Sequence, residues 1–563
     1  MRPVGWRRKA LLVVLSPPAF LVLLEGLLVL AGVDPKRYRY IPGGRYFVPC
    51  QESGSPAGYR RWDGRRLSRD LTAFRREKPA GGFRLFVVGE STVQGFPYPL
   101  GSFCDWLSLR LGAMLDGRAV EVVNAGTGGW YATELRKLVR ECLRHHPDAV
   151  VWMAGHNELL PGSLDAMRHE RDHPALAALE RTLLGLRTAQ GMRALLPRPR
   201  FVLGPARGER EPPHAAEREA TRRRFRETVA GAVSDAREAG VPILLCTSPR
   251  NAREAGPFES SFSERLQADA ALRALWERTY AEGLALLEDG KPAAALERFG
   301  EASELDDLPA RLHFASARAH ERLGAAGPAR AAFQRAVDLD VWPWRAPSWI
   351  QEAVRGVARE ASVPLVDLER IFDDASPAGI AGGELICDIH HPSLEGHERI
   401  AEVFLDVLQR ELGLALDRSR DVDPSLGRTA LGLDAYRGAR SRRAEFLATT
   451  RFVVLAGVVD DRWRRTMAAA SELLRENPSD WEIRGAEGIL LAISGDRVQA
   501  RTLIEHAMSS ATDVRLTYLF YYWSEPQFRR AIDAAGIDMA AVGRALSAEE
   551  RSLIDSSYAQ VLR

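Results

Sequence analysis

This sequence has few cysteines and no excess of one charge. Its 563 residues include five cysteines, an odd number too small for a disulfide framework, and no two have the spacing of a zinc site. Lys and Arg number 77 and Asp and Glu 75, so no concentrated basic character indicates a nucleic-acid partner. Hydrophobic residues make up 46% and charged residues 27%, which excludes wholesale disorder. At roughly 150 residues per domain, the length indicates three or four domains.

The N-terminal segment predicts export. Basic residues at positions 2, 7, 8 and 9 precede an apolar run over residues 10–33, which is longer than the roughly 20 residues that cross a bilayer as a helix. The basic flank predicts that the N-terminus stays inside and that everything downstream is exported. Pro17, Pro18 and Glu25 are unfavourable in a membrane helix, and Ala31 offers a signal-peptide cleavage site. We expect residues 1–33 to be a membrane anchor or, alternatively, a cleaved signal segment. Both alternatives place the bulk of the chain outside the cytoplasm.

From residue 83 onward, short apolar runs alternate with amphipathic stretches. Apolar strands alternating with helices indicate a parallel sheet flanked by helices on both faces, a three-layer α/β fold. The predicted strands cover residues 83–88, 119–123, 149–153, 243–247 and 365–368, and the predicted helices include 106–115, 132–145, 225–239 and 394–412. We assign residues 81–270 and 341–415 to this core, with a Pro- and Arg-rich insert at about 162–220, and residues 34–80 to a stalk.

Two further regions are predicted to be all-α. Within residues 271–340, small and aromatic residues recur at a period of about 34 residues, which resembles tetratricopeptide repeats. The recurring pairs are Gly290 and Gly324, Phe299 and Phe333, and Ala302 and Ala336. Residues 461–563, after a connector at 416–460, resemble such a repeat more loosely, and generic Ala-rich helical hairpins are the alternative for both regions. Because repeat arrays usually need three units, we expect the insert to pack on the core or on other helices.

Residues suited to chemistry follow the predicted strands and precede the predicted core helix at 394–412. Ser91 follows the first strand, where α/β sheets place active sites, although a lone serine there is more often a helix N-cap. A glycine-rich turn at 126–129 can direct backbone N–H groups at an anion, and Asn157 can donate its amide to an oxyanion or bond a turn. Asp388 and His391 are three residues apart. In a tight turn the carboxylate can therefore fix the imidazole tautomer and leave the other ring nitrogen as a base.

A metal site is an alternative use of that last segment. Asp388, His390 and His391 carry ligand types that zinc prefers. The side chains of adjacent histidines tend to diverge, however, and the sequence offers no convincing further ligand. We therefore predict no metal and no cofactor.

The order of these segments resembles the SGNH (GDSL-type) hydrolase superfamily. Residues 83–412 contain Gly-Glu-Ser, a glycine, Gly-x-Asn-Glu and Asp-x-x-His-Pro in that order. The resemblance implies that Ser91 is the nucleophile, that His391 is the general base and later the general acid, and that Asp388 orients His391. It also implies an oxyanion hole formed by the backbone N–H groups of Ser91 and Gly129 and the side chain of Asn157.

Three details qualify the resemblance. Gly129 is chosen over Gly126 and Gly128 because it stands five residues after Asn124. Glu90 and Glu158 occupy positions where the family usually has Asp. Since neither position carries the nucleophile or the base, we expect the chemistry to survive and the loop geometry and substrate preference to change.

The resemblance implies an exported, membrane-tethered serine esterase that forms an acyl-enzyme on a carbohydrate or lipid-like ester. One alternative is an O-acyltransferase for a cell-surface polysaccharide that uses the same triad. The other is an assembly or scaffold protein in which the repeats bind a protein and the hydrolase core is a relic. The expected partners are a small-molecule or glycan ester, the membrane through the N-terminal helix, and a protein through the helical repeats.

Overall fold

The computed structural model describes residues 73–98, 100–115, 117–178, 212–433 and 461–510, with shorter pieces at 46–50, at 58–61 and between 442 and 453, and the single residue 24. The chain divides into two compact units, Met1–Lys78 with Leu164–Val202 and Pro79–Ser163 with Leu203–Arg563. Apart from Leu24, the predicted anchor at 1–33 lies outside the described residues. Within the described part, no helix has both the length and the hydropathy needed to cross a bilayer.

The first unit contains a small antiparallel sheet in the order β1-β2-β3. Its strands are β1 Phe47–Cys50, β2 Gly58–Arg61 and β3 Ala73–Arg75. Phe47 is buried and packs edge-on against Tyr46 and Phe74. These strands lie in the stretch predicted to be a stalk. They are short and lack a clear polar–apolar alternation, which is the signal that sequence analysis uses to find strands.

The second unit is built on a five-stranded parallel sheet in the order β5-β4-β6-β7-β8. Its strands are β4 Phe83–Gly89, β5 Val120–Gly126, β6 Ala149–Met153, β7 Ile243–Cys246 and β8 Leu365–Val366. The prediction of a parallel α/β sheet is confirmed, and each predicted strand is present. Every residue of β4 is buried, as expected when helices cover both faces of a sheet.

The helices account for most of the remaining described residues. In chain order they are α1 Ser91–Gln94, α2 Phe103–Met114, α3 Ala132–Leu143, α4 Pro161–Asp172, α5 Ala215–Glu238, α6 Glu264–Ala268, α7 Ala270–Glu288, α8 Pro292–Leu305, α9 Ala310–Arg322, α10 Ala326–Leu339, α11 Ser348–Ala361, α12 Leu368–Ala375, α13 Leu394–Leu412, α14 Pro424–Ala430, α15 Asp461–Glu476, α16 Trp481–Ser494 and α17 Arg497–Ser510.

Two groups of helices pack on the main sheet. Helices α2 and α13 pack against each other, with Phe103 stacked on Phe404, and they share a core cluster with Leu85 and Val87 of β4. Helices α3, α5 and α11 form the second group, in which α5 packs against both of the others. The sheet is therefore flanked by two groups of helices, as a three-layer α/β fold requires.

Two helical hairpins, α7–α8 and α9–α10, form the insert predicted at 271–340. Trp276 of α7 and Phe299 of α8 are buried in one cluster, and Phe333 of α10 lies in another together with Ile380 of the α/β core. The insert thus packs on the core, as expected. Helices α15–α17 form the described part of the C-terminal region, and residues 511–563 lie outside the described residues. The resemblance of both regions to tetratricopeptide repeats stays a prediction.

Candidate functional site

The candidate site lies at the carboxyl edge of the main sheet, where the strand order reverses. The first two strands of this sheet in the chain, β4 and β5, are neighbours, and β6 pairs with the opposite side of β4. A reversal of this kind opens a crevice that binds ligands in α/β proteins. Ser91 follows β4, the glycine turn follows β5 and Asn157 follows β6, so all three strand-end segments meet at this point.

Ser91 is the first residue of α1 and not its N-cap, because Glu90 occupies the cap position. Its Oγ lies 2.7 Å from Nε2 of His391, although 300 positions separate the two residues. Ser91 is only partly buried, so its hydroxyl can be reached by a substrate. The structure thus brings the predicted nucleophile and the predicted base into hydrogen-bond contact.

A tight turn closed by a bridge between Ile386 and Pro392 presents the acid and the base. Oδ1 of Asp388 accepts the backbone N–H groups of His390 at 2.9 Å and His391 at 2.8 Å. The other carboxylate oxygen, Oδ2, lies 2.6 Å from Nδ1 of His391. The spacing of three residues therefore lets one carboxylate organise the turn and orient the imidazole.

The carboxyl group of Asp388 stays ionised although its side chain is fully buried. Burial by itself raises the pKa of a carboxyl group. Here the electrostatic interaction with His391 and the hydrogen bonds from His391 and His390 outweigh burial, and they hold the pKa of Asp388 below its usual range. An ionised carboxylate is the form that can stabilise an imidazolium.

Other rings pack around the base. The ring centroid of Phe96 lies 4.6 Å from that of His391, and the His390 ring lies 4.0 Å from it. His156 stacks on His390 at 4.2 Å, and burial keeps the pKa of His156 well below its usual value. Sequence analysis did not indicate Phe96 or His156, because aromatic and histidine side chains near a strand end carry no distinctive pattern.

The three glycines at the end of β5 and just after it differ in what their backbone N–H groups contact. The Gly126 N–H donates to Oδ1 of Asn124 at 2.9 Å, and the Gly128 N–H donates to Oε1 of Gln94 at 3.0 Å. Among the described residues, the Gly129 N–H has no acceptor, and Gly129 has a φ of +76°. The glycine predicted to serve an oxyanion is therefore the one whose N–H remains available to a ligand.

Asn157 is held next to that glycine turn. Its Nδ2 donates to the carbonyl of Trp130 at 2.7 Å. A side-chain amide has two N–H donors, so the second one remains for a ligand. The backbone N–H of Ser91, at the first position of α1, likewise has no acceptor within the described part of the chain.

Glu90 braces the loop that carries Asn157. One oxygen of its carboxylate accepts the N–H groups of Gly155 at 3.1 Å and Asn157 at 3.4 Å, and the other accepts that of His156 at 3.0 Å. The sequence signals only that Glu90 is adjacent to Ser91; which residues it contacts depends on the pairing of β4 with β6.

Glu90 and Glu158 form a buried pair of carboxyl groups. Glu158 accepts the N–H of Ala132 at 2.7 Å. Burial, followed by the charge of Glu158, raises the pKa of Glu90 from 4.5 to about 8. Burial also raises the pKa of Glu158 from 4.5 to about 7. The folded protein therefore retains protons here that an unfolded chain would release.

This pair predicts a fall in stability with rising pH. A folded-state pKa raised above the unfolded value means that the folded state binds more protons between the two pKa values, so the free energy of unfolding falls as pH rises. For Glu90 the window extends from about 4.5 to about 8. The thermal midpoint of Glu90→Gln, measured across that window, is expected to fall less steeply than that of the wild type. Replacing the exposed Glu219 by Gln should leave the slope unchanged, and equal slopes for wild type and Glu90→Gln would contradict the assignment.

The alternative of a metal site is less consistent with this geometry. Asp388, His390 and His391 each present a ligand atom within 4.8 Å of the others. Both ring nitrogens of His391 are already in short hydrogen bonds, one with Asp388 and one with Ser91. A metal ion would have to break this chain, so the arrangement suits proton transfer better than coordination.

Comparison with known proteins agrees with the geometry over part of the chain. Residues 87–260 match the model of the GDSL-like Lipase/Acylhydrolase family. The matched stretch contains Ser91, Gly129 and Asn157 and ends before Asp388 and His391. No curated protein matches the chain.

Two solved structures show weak similarity. A lipase/acylhydrolase from Enterococcus faecalis has 14% identity and a TM-score of 0.26, with 58% of this chain and 96% of that chain covered. A candidate acylhydrolase from Bacteroides fragilis has 11% identity and a TM-score of 0.27, with 60% and 91% covered. TM-scores this low do not bear on the fold or the activity of this chain. The family match supports a GDSL-like lipase/acylhydrolase domain over residues 87–260, a stretch that includes all or part of four strands of the parallel α/β sheet.

Proposed function

We propose that this protein is a serine esterase that cleaves acyl esters through Ser91, His391 and Asp388. The observation that carries the proposal is one continuous chain of hydrogen bonds. It runs from Oγ of Ser91 to Nε2 of His391 at 2.7 Å, and from Nδ1 of His391 to Asp388 at 2.6 Å. The match of residues 87–260 to a lipase/acylhydrolase family supports an ester as the bond that is cleaved.

The acylation step follows from these contacts. Nε2 of His391 accepts the proton of Ser91 as Oγ attacks the carbonyl carbon of the ester. Asp388 fixes the tautomer of His391 and stabilises the imidazolium that forms. His391 then donates the proton to the leaving alkoxide oxygen as the tetrahedral intermediate collapses. The products of this step are an alcohol and an acyl group bonded to Ser91.

In the second step water hydrolyses the acyl-enzyme, and Ser91 becomes the leaving group. A water molecule enters, His391 removes one of its protons, and the resulting oxygen nucleophile attacks the acyl carbonyl. When this intermediate collapses, His391 returns its proton to Oγ of Ser91. The acid product leaves, and the hydrogen-bond chain to Asp388 is restored.

Three N–H donors are proposed to stabilise the negative charge in both steps. They are the backbone N–H groups of Ser91 and Gly129 and the second amide hydrogen of Asn157. Donors held in place before the reaction contribute most to the rate, because they need no reorganisation when the charge develops. Glu90 contributes indirectly, since it holds the backbone of the loop that ends in Asn157.

We extend the proposal to the location and substrate class. The basic flank and apolar run over residues 1–33 support export with membrane tethering, and an exported esterase of this kind would act on a carbohydrate or lipid-like ester. A sugar hydroxyl that replaces water in the second step would make the same site an O-acyltransferase. If the protein is instead an assembly factor, its partner would bind through α7–α10 and the triad would be dispensable.

Product analysis with the full-length protein tests this proposal. With 4-nitrophenyl acetate and a soluble polysaccharide present together, we expect release of nitrophenol and free acetate in equal amounts. Acetate recovered on the polysaccharide would instead support the transferase. Absence of nitrophenol release would overturn both enzymatic proposals and favour the assembly factor.

A further inference from the structure

A loop outside the predicted motifs contacts the turn that carries the acid and the base. Residues 251–256 follow β7 and lead into the helical insert, and residues 341–347 lead back from α10 to α11. Asn251 in the first segment is 3% exposed, and Arg345 in the second is fully buried. Neither residue belongs to the four segments that sequence analysis selected.

Asn251 makes two hydrogen bonds to the catalytic turn. Its side-chain Nδ2 donates to the backbone carbonyl of Asp388 at 3.1 Å. Its backbone N–H donates to the carbonyl of Ile389 at 2.9 Å. These two carbonyls belong to the residue that bears the catalytic carboxylate and to the residue that follows it. The backbone of the turn is therefore held by hydrogen bonds from a residue outside the turn as well as by its own.

Asn251 is itself held in place. Its Oδ1 accepts the backbone N–H of Glu254 at 2.8 Å. Its backbone carbonyl accepts a hydrogen bond from the Arg345 guanidinium at 2.7 Å, and the same guanidinium nitrogen also donates to the carbonyl of Ala255 at 2.5 Å. All four polar groups of Asn251 are thus engaged, which leaves its side chain a single orientation.

The geometry points to Asn251 as a positioning residue: it fixes the backbone at Asp388 and Ile389 and so holds the Asp388 carboxylate against His391. The inference rests on the proposed esterase function. It extends the site to a residue that does not touch the reacting atoms and that lies where the helical insert leaves the core.

The positioning role predicts an effect on kcat that is separate from folding. Replacing Asn251 by Leu removes the donor to Asp388 and the acceptor for Glu254. Because a displacement of about 1 Å at a catalytic group can cost about 100-fold in rate, we expect kcat to fall about 10- to 100-fold. KM should stay within about twofold, because the substrate-binding surface is unchanged.

Gln351 provides a matched control. It is a buried amide that also bridges two backbone groups, accepting the Ser248 N–H at 3.0 Å and donating to the Ser248 carbonyl at 2.6 Å. Gln351→Met should lower the thermal midpoint as much as Asn251→Leu does and leave kcat near the wild-type value. Equal loss of kcat in both variants would show a general structural effect and would overturn the inference.

A second variant keeps the test decisive if Asn251→Leu does not fold. The hydroxyl of Asn251→Ser can still accept the Glu254 N–H in a turn, but it is too short to reach the Asp388 carbonyl. We expect this variant to fold and to lose kcat, and wild-type kcat in a folded Asn251→Ser would also overturn the inference. Failure of the esterase proposal is distinguishable, because the wild-type protein would then show no ester hydrolysis at all.

Discussion

Replacing Ser91 by Ala is expected to lower kcat/KM for ester hydrolysis by about 10⁴- to 10⁶-fold. Without Oγ no acyl-enzyme can form, and Nε2 of His391 no longer has a hydroxyl proton to accept. The oxyanion hole alone is expected to leave a residual rate above that of water. The measurement is nitrophenol release from 4-nitrophenyl acetate by the full-length protein, with the thermal midpoint as a check on folding.

Ser393 offers a control in the same region. Ser393 stands two residues after His391, and its hydroxyl caps α13 by accepting the Gly396 N–H at 3.0 Å. Ser393→Ala should cost about 1 kcal/mol of stability as a lost helix cap and keep most of the activity. If Ser91→Ala hydrolysed the ester at the wild-type rate, Ser91 would not be the nucleophile.

Replacing Asp388 by Asn is expected to lower kcat by about 10⁴-fold. Asparagine has nearly the same shape, so its oxygen can still accept the N–H groups of His390 and His391 that organise the turn. Its amide nitrogen donates a hydrogen bond, which favours the wrong tautomer of His391 and gives no charge to stabilise the imidazolium. The measurement is the kcat of the folded variant, compared with wild type at the same pH.

Asp373 provides the comparison for this change. It is a partly buried carboxyl group that accepts the Ala381 N–H at 2.9 Å, and burial raises its pKa to about 6. Asp373→Asn should alter stability with little change in kcat. An Asp388→Asn variant with kcat within tenfold of wild type would show that Asp388 does not orient the base.

The strands of the core could be predicted from the sequence with small errors at their ends. The stretch 149–153 is a continuous apolar run, and 83–88 is apolar except for Arg84, which is close to the pattern of strands buried on both faces. The second strand extends three residues further than predicted, to Gly126, because its pairing with β4 continues to Gly89. When pairing with a distant strand determines where a strand ends, the local sequence pattern does not predict that end. The strands β1–β3 were missed for a related reason, since short antiparallel strands without clear alternation carry little local signal.

The candidate site was predicted where its residues stand in motifs and missed where they do not. Asp388 and His391 are close in sequence, so their contact follows from a tight turn. The contact of His391 with Ser91 crosses 300 positions, and only the order of the motifs suggested it. The contacts of Glu90 with the loop before Asn157 and of Asn251 with the Asp388 turn depend on strand pairing and on the path of the insert, which the residues themselves do not encode locally.

Covalent labelling of Ser91 by a fluorophosphonate probe tests the central claim most directly, because it needs no knowledge of the natural ester. The full-length wild-type protein and Ser91→Ala are treated with the probe, digested and mapped by mass spectrometry. The triad predicts one phosphonate adduct on the wild-type peptide that contains Ser91, no adduct on that peptide in Ser91→Ala, and much slower labelling in Asp388→Asn. Labelling of a different residue, or equal labelling of wild type and Ser91→Ala, would contradict the account.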